Sequence, residues 1–263
     1  MRRLFTVLAV LCISNSVFAK TRGVEHASAL PTPRSVLWVA AHPDDESLAA
    51  PLLSKWCRED HASCTFLVFT RGQQGDCVRA GGCLPDIASV RSSEEGAASQ
   101  YFNASLVLLT LPDGGGAVPP SWHDDPNLIS TIAGYIDAIH PDLVLTFDPR
   151  HGTTCHPDHR AAADIVLEAT NRLSFKPAVY LLETRLAIVS GPPISLVFSS
   201  ASATASRYDA NESWDAVIAD MERHSSQFDS QFITAARAVP ESERAVYIAP
   251  AQSILAQSIA ECP

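Results

Sequence analysis

This 263-residue chain has fewer basic than acidic residues, and this imbalance argues against partners that are themselves negatively charged. Lysine and arginine together number 19 against 29 aspartates and glutamates, giving a formal net charge of −10. Proteins that bind nucleic acids or anionic membrane surfaces present an excess of positive charge to them. The composition therefore predicts neither kind of partner.

The sequence also lacks an apolar run long enough for a confident membrane span. The run at residues 4–13 is too short for this purpose, and it lies between Arg2-Arg3 and Ala19. This order is typical of a signal peptide, residues 1–19, cleaved before Lys20. We expect a secreted or periplasmic protein with no stable membrane insertion; a retained N-terminal anchor is the alternative.

No two cysteines have the CxxC spacing, which argues against a cysteine zinc site. Without Cys12, which lies in the predicted signal peptide, six cysteines remain at positions 57, 64, 77, 83, 155 and 262. An even number in an exported chain predicts disulfides. The close spacings favour Cys57–Cys64 and Cys77–Cys83, which leaves Cys155–Cys262 by elimination, although six cysteines permit about fifteen pairings.

Repeats and low-complexity tracts are missing as well, and strand and helix patterns alternate regularly instead. After a lead-in segment, residues 20–34, nothing divides the rest, so residues 35–263 are expected to form one α/β domain. The alternation predicts a mostly parallel sheet with right-handed crossovers. Strands are predicted at 35–41, 64–70, 106–111, 143–147, 178–182, 194–198 and 245–248, helices at 48–57, 88–102, 127–139, 159–173 and 214–226, and a surface loop at 199–206.

A cluster of polar residues follows the first predicted strand directly. His42 precedes Asp44, Asp45 and Glu46 at the carboxyl end of that strand, where open parallel sheets bind ligands. Adjacent carboxylates repel one another unless a positive charge lies among them, and His nitrogen with carboxylate oxygen suits zinc. The alternative is an acidic helix N-terminus, in which Glu46 has a capping or supporting role.

A second cluster, His156, Asp158 and His159, again follows a buried strand and precedes a helix. Two such clusters can converge at one edge of the sheet. Three protein ligands with an open water position form the arrangement that catalytic zinc uses. The alternative is two unrelated polar loops with capping aspartates.

Together the two motifs, AHPDDE and TFDP…HPDH, resemble the LmbE-like/PIG-L family of zinc-dependent N-acetylglucosaminyl deacetylases. FTRGQQG, Arg91-x-x-Glu94, LPDG and His224-Ser-Ser-Gln227 resemble further family signatures in the same order, within residues 35–228. The resemblance implies a Rossmann-like three-layer fold, a Zn2+ cofactor and removal of the acetyl group from an N-acetylated amino sugar that is free, oligomeric or conjugated. It implies a small-molecule or oligosaccharide partner and assigns no oligomeric state.

By the same resemblance, His42, Asp45 and His159 are the expected zinc ligands. His156 in place of His159 remains open, because the HPDH motif contains two histidines.

The resemblance also implies the catalytic groups. Asp44 is expected to be the general base that takes a proton from the attacking water. His156, if protonated, is expected to stabilise the oxyanion, with Asp158 orienting it and keeping it charged.

Arg91, Asp113 and His224 are the expected substrate contacts. Each has a simpler alternative: an ion pair of Arg91 with Glu94 or Glu95, a turn aspartate, and a structural histidine. For the whole chain the rivals are a zinc amidase acting on another small amide and a sugar-binding protein without activity.

Overall fold

The computed structural model of the protein describes residues 30–116, 120–254 and 262. The predicted signal peptide and residues 20–29 of the lead-in segment lie outside the described residues. Among the helices that are described, none is long and apolar enough to cross a membrane.

A seven-stranded sheet forms the centre of the domain, in the spatial order β3-β2-β1-β4-β5-β9-β8. Strands β1 to β5 are parallel, and β9 and β8 extend the sheet in antiparallel fashion. A separate two-stranded hairpin consists of β6 and β7. The strands are β1 Ser35–Ala40, β2 Ser63–Thr70, β3 Ala104–Leu111, β4 Leu143–Phe147, β5 Ala178–Leu182, β6 Thr184–Val189, β7 Ser195–Ser200, β8 Ser206–Asp209 and β9 Ala245–Pro250.

Helices cover both faces of this sheet, because successive strand residues point to opposite faces. Trp38 of β1 belongs to the apolar cluster that contains Val217, whereas Leu37 belongs to the cluster that contains Ile136 and Ile165. The Rossmann-like three-layer fold with a mostly parallel sheet is thereby confirmed. The helices are α1 Ala50–Leu53, α2 Ile87–Tyr101, α3 Leu128–Ile139, α4 Gly152–Cys155, α5 Pro157–Arg172, α6 Trp214–Arg223, α7 Ser230–Arg237 and α8 Ala251–Ile254.

The strand order places the two polar motifs side by side. Strands β1 and β4 are neighbours, although about a hundred residues separate them in the chain. From β1 the sheet continues in opposite directions, to β2 and to β4, and this topological switch point opens a crevice at the carboxyl ends of the strands. The first motif follows β1 and the second follows β4, so both line the same crevice.

Several element predictions differ from the structure. The helix predicted at 48–57 is divided into a 3-10 turn Asp45–Leu48, α1 and a π-helical segment Ser54–Glu59. Helix α5 begins at Pro157, two residues before the predicted start, because proline is favoured in a first turn and His156 caps the helix. Strands β6 and β8 and helix α7 were not predicted.

The six cysteines form the two pairs that the spacing favours, Cys57–Cys64 and Cys77–Cys83, and the pair left by elimination, Cys155–Cys262. The first joins the π-helical segment to β2 inside the core, where both residues are buried. It closes a short loop with a sequence separation of 7. A cross-link of this kind reduces the conformational entropy of the unfolded chain.

We expect the double variant Cys57→Ser/Cys64→Ser to lose about 3 kcal/mol of unfolding free energy, since it removes the cross-link and buries two hydroxyls. Equilibrium denaturation in urea measures the loss. Cys77→Ser/Cys83→Ser is the matched control, because its loop is of similar length but its cysteines are only partly buried. An unchanged urea midpoint for the first variant would contradict the expectation.

Candidate metal centre and active site

Asp45 is held rigidly at the end of β1. Its Oδ2 accepts hydrogen bonds from the backbone amides of Ala41 and His42, both at 2.9 Å. The other oxygen, Oδ1, lies 2.9 Å from His159 Nε2 and 3.8 Å from His42 Nδ1. Burial alone would raise the pKa of Asp45, but the facing imidazoles hold it well below its ordinary value. One carboxylate oxygen is thus fixed toward the crevice as an anion.

His159 faces this carboxylate in a defined tautomer. Its Nδ1 lies 2.9 Å from the carbonyl oxygen of Gly152, and a carbonyl can only accept, so Nδ1 carries the proton. The ring also stacks on Phe147 at the end of β4, with centroids 4.2 Å apart. Nε2 is therefore an acceptor directed at Asp45 Oδ1. Two acceptors at this separation require a proton or a metal ion between them.

His42 is surrounded by carboxylates. Its Nε2 lies 3.1 Å from Asp158 Oδ2 and 3.6 Å from Asp113 Oδ1, and Asp158 also accepts the Gly114 amide at 2.8 Å. Burial lowers the pKa of His42, but hydrogen bonds with Asp113, Asp158 and Asp45 outweigh it and raise the pKa well above its ordinary value. The site thus favours positive charge here.

This geometry corrects the role expected for Asp158. Its carboxylate was predicted to orient His156, yet it contacts His42 instead, because α5 begins early enough to turn Asp158 inward, where it is fully buried. A carboxylate on the far nitrogen of an imidazole fixes the tautomer and leaves Nδ1 free to act as a ligand. Asp113, predicted as a substrate contact, lies 3.6 Å from the same nitrogen and also lines the cavity.

His156 has the complementary tautomer. Its Nδ1 accepts the backbone amide of Asp158 at 3.2 Å, so a neutral ring carries its proton on Nε2. Burial and the neighbouring imidazoles of His159 and His42 lower the pKa of His156 to about 4. The expectation that His156 supplies a donor to the oxyanion stays a prediction, since Nε2–H is a hydrogen-bond donor in the neutral ring as well. The ring lines the cavity, and a Cβ on Gly116 would lie 2.9 Å from Nε2.

Asp44 has a strained backbone with φ of 102°, a region that side chains other than glycine rarely adopt. Arg91 braces it: Nη2 donates to Asp44 Oδ2 at 3.0 Å and to the Pro43 carbonyl at 2.5 Å, and Nη1 donates to the Gly72 carbonyl at 3.2 Å. Burial raises the pKa of Asp44 even though Arg91 opposes it. The Asp44 carboxylate lines the cavity beside the converging ligands.

Arg91 was predicted as a substrate contact, with Glu94 or Glu95 as alternative partners. It does line the cavity, but its Nη1 and Nη2 donate to protein acceptors, and Glu94 pairs with Arg79 at 2.6 Å. Gly72 and Gly75 are needed here, because a Cβ on either would lie 2.4 Å from the guanidinium. The structure makes Arg91 a positioning residue for Asp44.

His224 lies below the cavity and not in it, which corrects its predicted contact with substrate. It is fully buried, and its Nε2 lies 2.6 Å from Glu46 Oε1. Glu46 Oε2 in turn accepts the backbone amide of Asp44 at 3.2 Å. The pair joins α6 to the first motif and supports the strained turn. Glu46 has the supporting role left open for it.

Four side chains, three of them fully buried, hold the loop that carries the second motif. Arg150 donates to Asp148 at 2.9 Å, and His151 Nδ1 accepts the Thr153 amide at 3.0 Å. His151 Nε2 therefore carries the proton and faces Glu183 Oε2 at 3.8 Å. This tautomer makes the group a structural support and not a second metal site. Sequence patterns did not single out Glu183, since its partners come from a neighbouring strand end.

The converging atoms fit a metal ion. Nitrogens of His42, His156 and His159 lie within 4.8 Å of one another, and Asp45 Oδ1 faces two of these rings. Of the three histidines, His42 Nδ1 and His159 Nε2 are left as acceptors by their other hydrogen bonds, whereas His156 Nε2 is a donor. The donor set of two imidazoles and one carboxylate suits zinc and related divalent ions.

A cavity of about 440 Å³ opens above these residues. Residues of the two motifs line it together with Gln74 and Asp113, and six hydrophobic side chains line it as well. A small organic ligand fits a cavity of this size.

Comparison with known proteins agrees with this site. Residues 37–170, about half of the chain and including both motifs, match the PIG-L family, described as GlcNAc-PI de-N-acetylase.

Two curated relatives are similar over part of their length. A protein of Kineococcus radiotolerans named 1D-myo-inositol 2-acetamido-2-deoxy-alpha-D-glucopyranoside deacetylase is 30% identical over 155 residues, which cover 49% of this chain and 43% of that protein. A probable N-acetyl-alpha-D-glucosaminyl L-malate deacetylase 2 of Bacillus subtilis is 31% identical over 144 residues, which cover 52% of this chain and 61% of the relative. The match thus spans less than two thirds of either relative.

Solved structures share the fold. N,N'-diacetylchitobiose deacetylase from Pyrococcus horikoshii aligns with a TM-score of 0.59 at 15% identity, covering 83% of this chain and 84% of that one. The conserved protein TT1542 from Thermus thermophilus aligns with a TM-score of 0.57 at 20% identity, covering 82% and 94%. The paired motifs at the switch point, and the match over residues 37–170, show that the chain belongs to the PIG-L family.

Proposed function

We propose that the protein is a zinc-dependent hydrolase that removes the acetyl group from an N-acetylated amino sugar of the N-acetylglucosamine type. The observation that carries the proposal is the pair of acceptors, His159 Nε2 and Asp45 Oδ1, which face each other at 2.9 Å in the cavity that Asp44 and His156 also line. The two curated relatives, both named as deacetylases of acetamido sugars, support the substrate class. The products are the free amine and acetate.

His42, Asp45 and His159 would hold the zinc ion through Nδ1, Oδ1 and Nε2. Zinc supplies Lewis-acid activation of water and polarisation of the amide carbonyl. Asp158 keeps His42 in the ligating tautomer, and the Gly152 carbonyl does the same for His159. The side chains around these three zinc ligands carry out the proton transfers.

Asp44 takes a proton from the attacking water and afterwards gives it to the leaving nitrogen, whose bond to the acetyl carbon breaks. Arg91 holds one carboxylate oxygen of Asp44, so the base keeps a fixed direction. A protein that only bound sugars would have no use for a strained, braced carboxylate beside the ligands, which argues against the rival of an inactive binding protein.

His156 stabilises the negative charge that develops on the carbonyl oxygen. Its Nε2–H faces the cavity, and the hydrogen bond at Nδ1 fixes this orientation before substrate arrives. A preorganised donor of this kind acts in the neutral form, so its low pKa does not prevent the role.

Acetate release from N-acetylglucosamine and its glycosides, measured with the zinc-loaded enzyme, tests the function. Asp44→Asn keeps the shape and the contact with Arg91 but cannot take the proton, so kcat should fall by about 10²–10⁴-fold with zinc retained. Near-normal turnover of this variant would remove Asp44 from the mechanism. Acetate release from simple amides but not from any acetamido sugar would favour the rival amidase.

Zinc retention distinguishes the two histidines of the second motif. His159→Ala should lose zinc in competition with a chelator, whereas His156→Ala should keep it, because its Nε2 is a donor. Asp158→Asn should weaken zinc binding by about 10–100-fold, since the carboxylate supports His42. If His156→Ala lost the zinc and His159→Ala kept it, the assignment would be reversed.

The proposal also includes export of the protein. This part rests on the predicted signal peptide and the paired cysteines. Intact mass spectrometry of the protein recovered outside the cytoplasm should give a chain that begins at Lys20 and has no free thiol. A chain that retains residues 1–19, or one with six titratable thiols after oxidative expression, would contradict it.

A further inference from the structure

Part of the wall of the active-site cavity is apolar. It consists of six hydrophobic side chains from four parts of the chain: Leu48, Leu186, Ile188, Met221, Phe228 and Phe232. These side chains offer no hydrogen-bond partner. A polar group placed against them would lose its water without replacement, whereas an apolar group would be stabilised there.

The β6–β7 hairpin contributes the outermost part of this wall. In its register Ile188 lies opposite Leu196 and shares its face of the hairpin, and Leu196 is buried at 3% exposure. Ile188 itself is 55% exposed, although it is on the inward face. Its neighbour Val189 is 52% exposed but points to the opposite face. Ile188 is therefore an apolar side chain left open at the mouth of the cavity.

Two aromatic rings form the adjoining part of the wall. Phe228 and Phe232 lie with centroids 5.1 Å apart, at the beginning of α7. Asp229 caps this helix by accepting the Phe232 amide at 2.8 Å, and the Phe228 amide is bonded to the His224 carbonyl. Since these backbone contacts fix both residues, the wall is preformed.

We propose that this wall is a subsite for an apolar aglycone, so that the preferred substrate is an acetamido sugar carrying an alkyl or aryl group rather than the free sugar or a hydrophilic oligomer. The inference rests on the proposed function, because the acetamide must lie beside Asp44 and His156. The apolar side chains line the same cavity as these two residues, so the rest of a ligand held there by its acetamide has apolar surface to pack against.

The test compares methyl and hexyl glycosides of N-acetylglucosamine with the same anomeric configuration, using the zinc-loaded enzyme. The wild type should hydrolyse the hexyl glycoside with a kcat/KM about tenfold or more above that of the methyl glycoside. Ile188→Ser should reduce this preference about fivefold. Val189→Ser is the matched control, equally exposed on the opposite face, and should keep the preference.

Equal kcat/KM values for the two glycosides, or equal loss of preference in the two variants, would overturn the subsite and leave the deacetylase function intact. Calorimetric binding of the same glycosides is measured in parallel. If neither glycoside is hydrolysed, the proposed function fails, and binding then decides the subsite. Tighter binding of the hexyl than of the methyl glycoside, weakened by Ile188→Ser but not by Val189→Ser, would support the subsite. Equal binding of the two glycosides would overturn the subsite.

Discussion

The site depends on one electrostatic constraint, which is the need for positive charge between Asp45 and His159. Asp45 is fixed by the amides at the end of β1, and His159 by the Gly152 carbonyl and the ring of Phe147. Both side chains therefore present an acceptor to the same point. Burial makes this arrangement costly unless a cation or proton lies there, since water cannot screen the charge.

The strained turn at Asp44 is stabilised by contacts from elements that are distant in the chain. A backbone in this conformation costs about 1–3 kcal/mol, and such strain persists only where the surroundings impose it. Arg91 from α2 and the Glu46–His224 pair from the other side provide the contacts. The same contacts direct the Asp44 carboxylate into the cavity. The turn is therefore locally strained at the residue whose carboxylate the chemistry needs in a fixed orientation.

Loops with their own cross-links border the cavity. The Cys77–Cys83 disulfide closes the loop after β2, and the amide of Val78 and the side chain of Gln227 tie that loop to the segment after α6. On the other side, Cys155 lies directly before the second motif and is joined to Cys262. Loops cannot rely on a core of their own, so the disulfides supply the order that the cavity walls require.

The sequence by itself determined the fold class, the two motifs and the strand ends that carry them. These features depend on local patterns: buried runs such as that of β4, helix starts, and adjacent groups such as Asp44 and Asp45. The same local patterns indicated a helix after the second motif, but they left His156 and Pro157 outside it and so placed its start two residues late.

Only the tertiary structure decided which partner each of these side chains meets. Asp158 lies on His42, Arg91 on Asp44 and His224 on Glu46, pairs separated by 116, 47 and 178 residues along the chain. No periodicity in sequence encodes contacts of this range, because they follow from strand order and helix packing. The tautomer of His42 follows from its distant contact with Asp158, whereas those of His159 and His156 follow from contacts within the second loop and the start of α5.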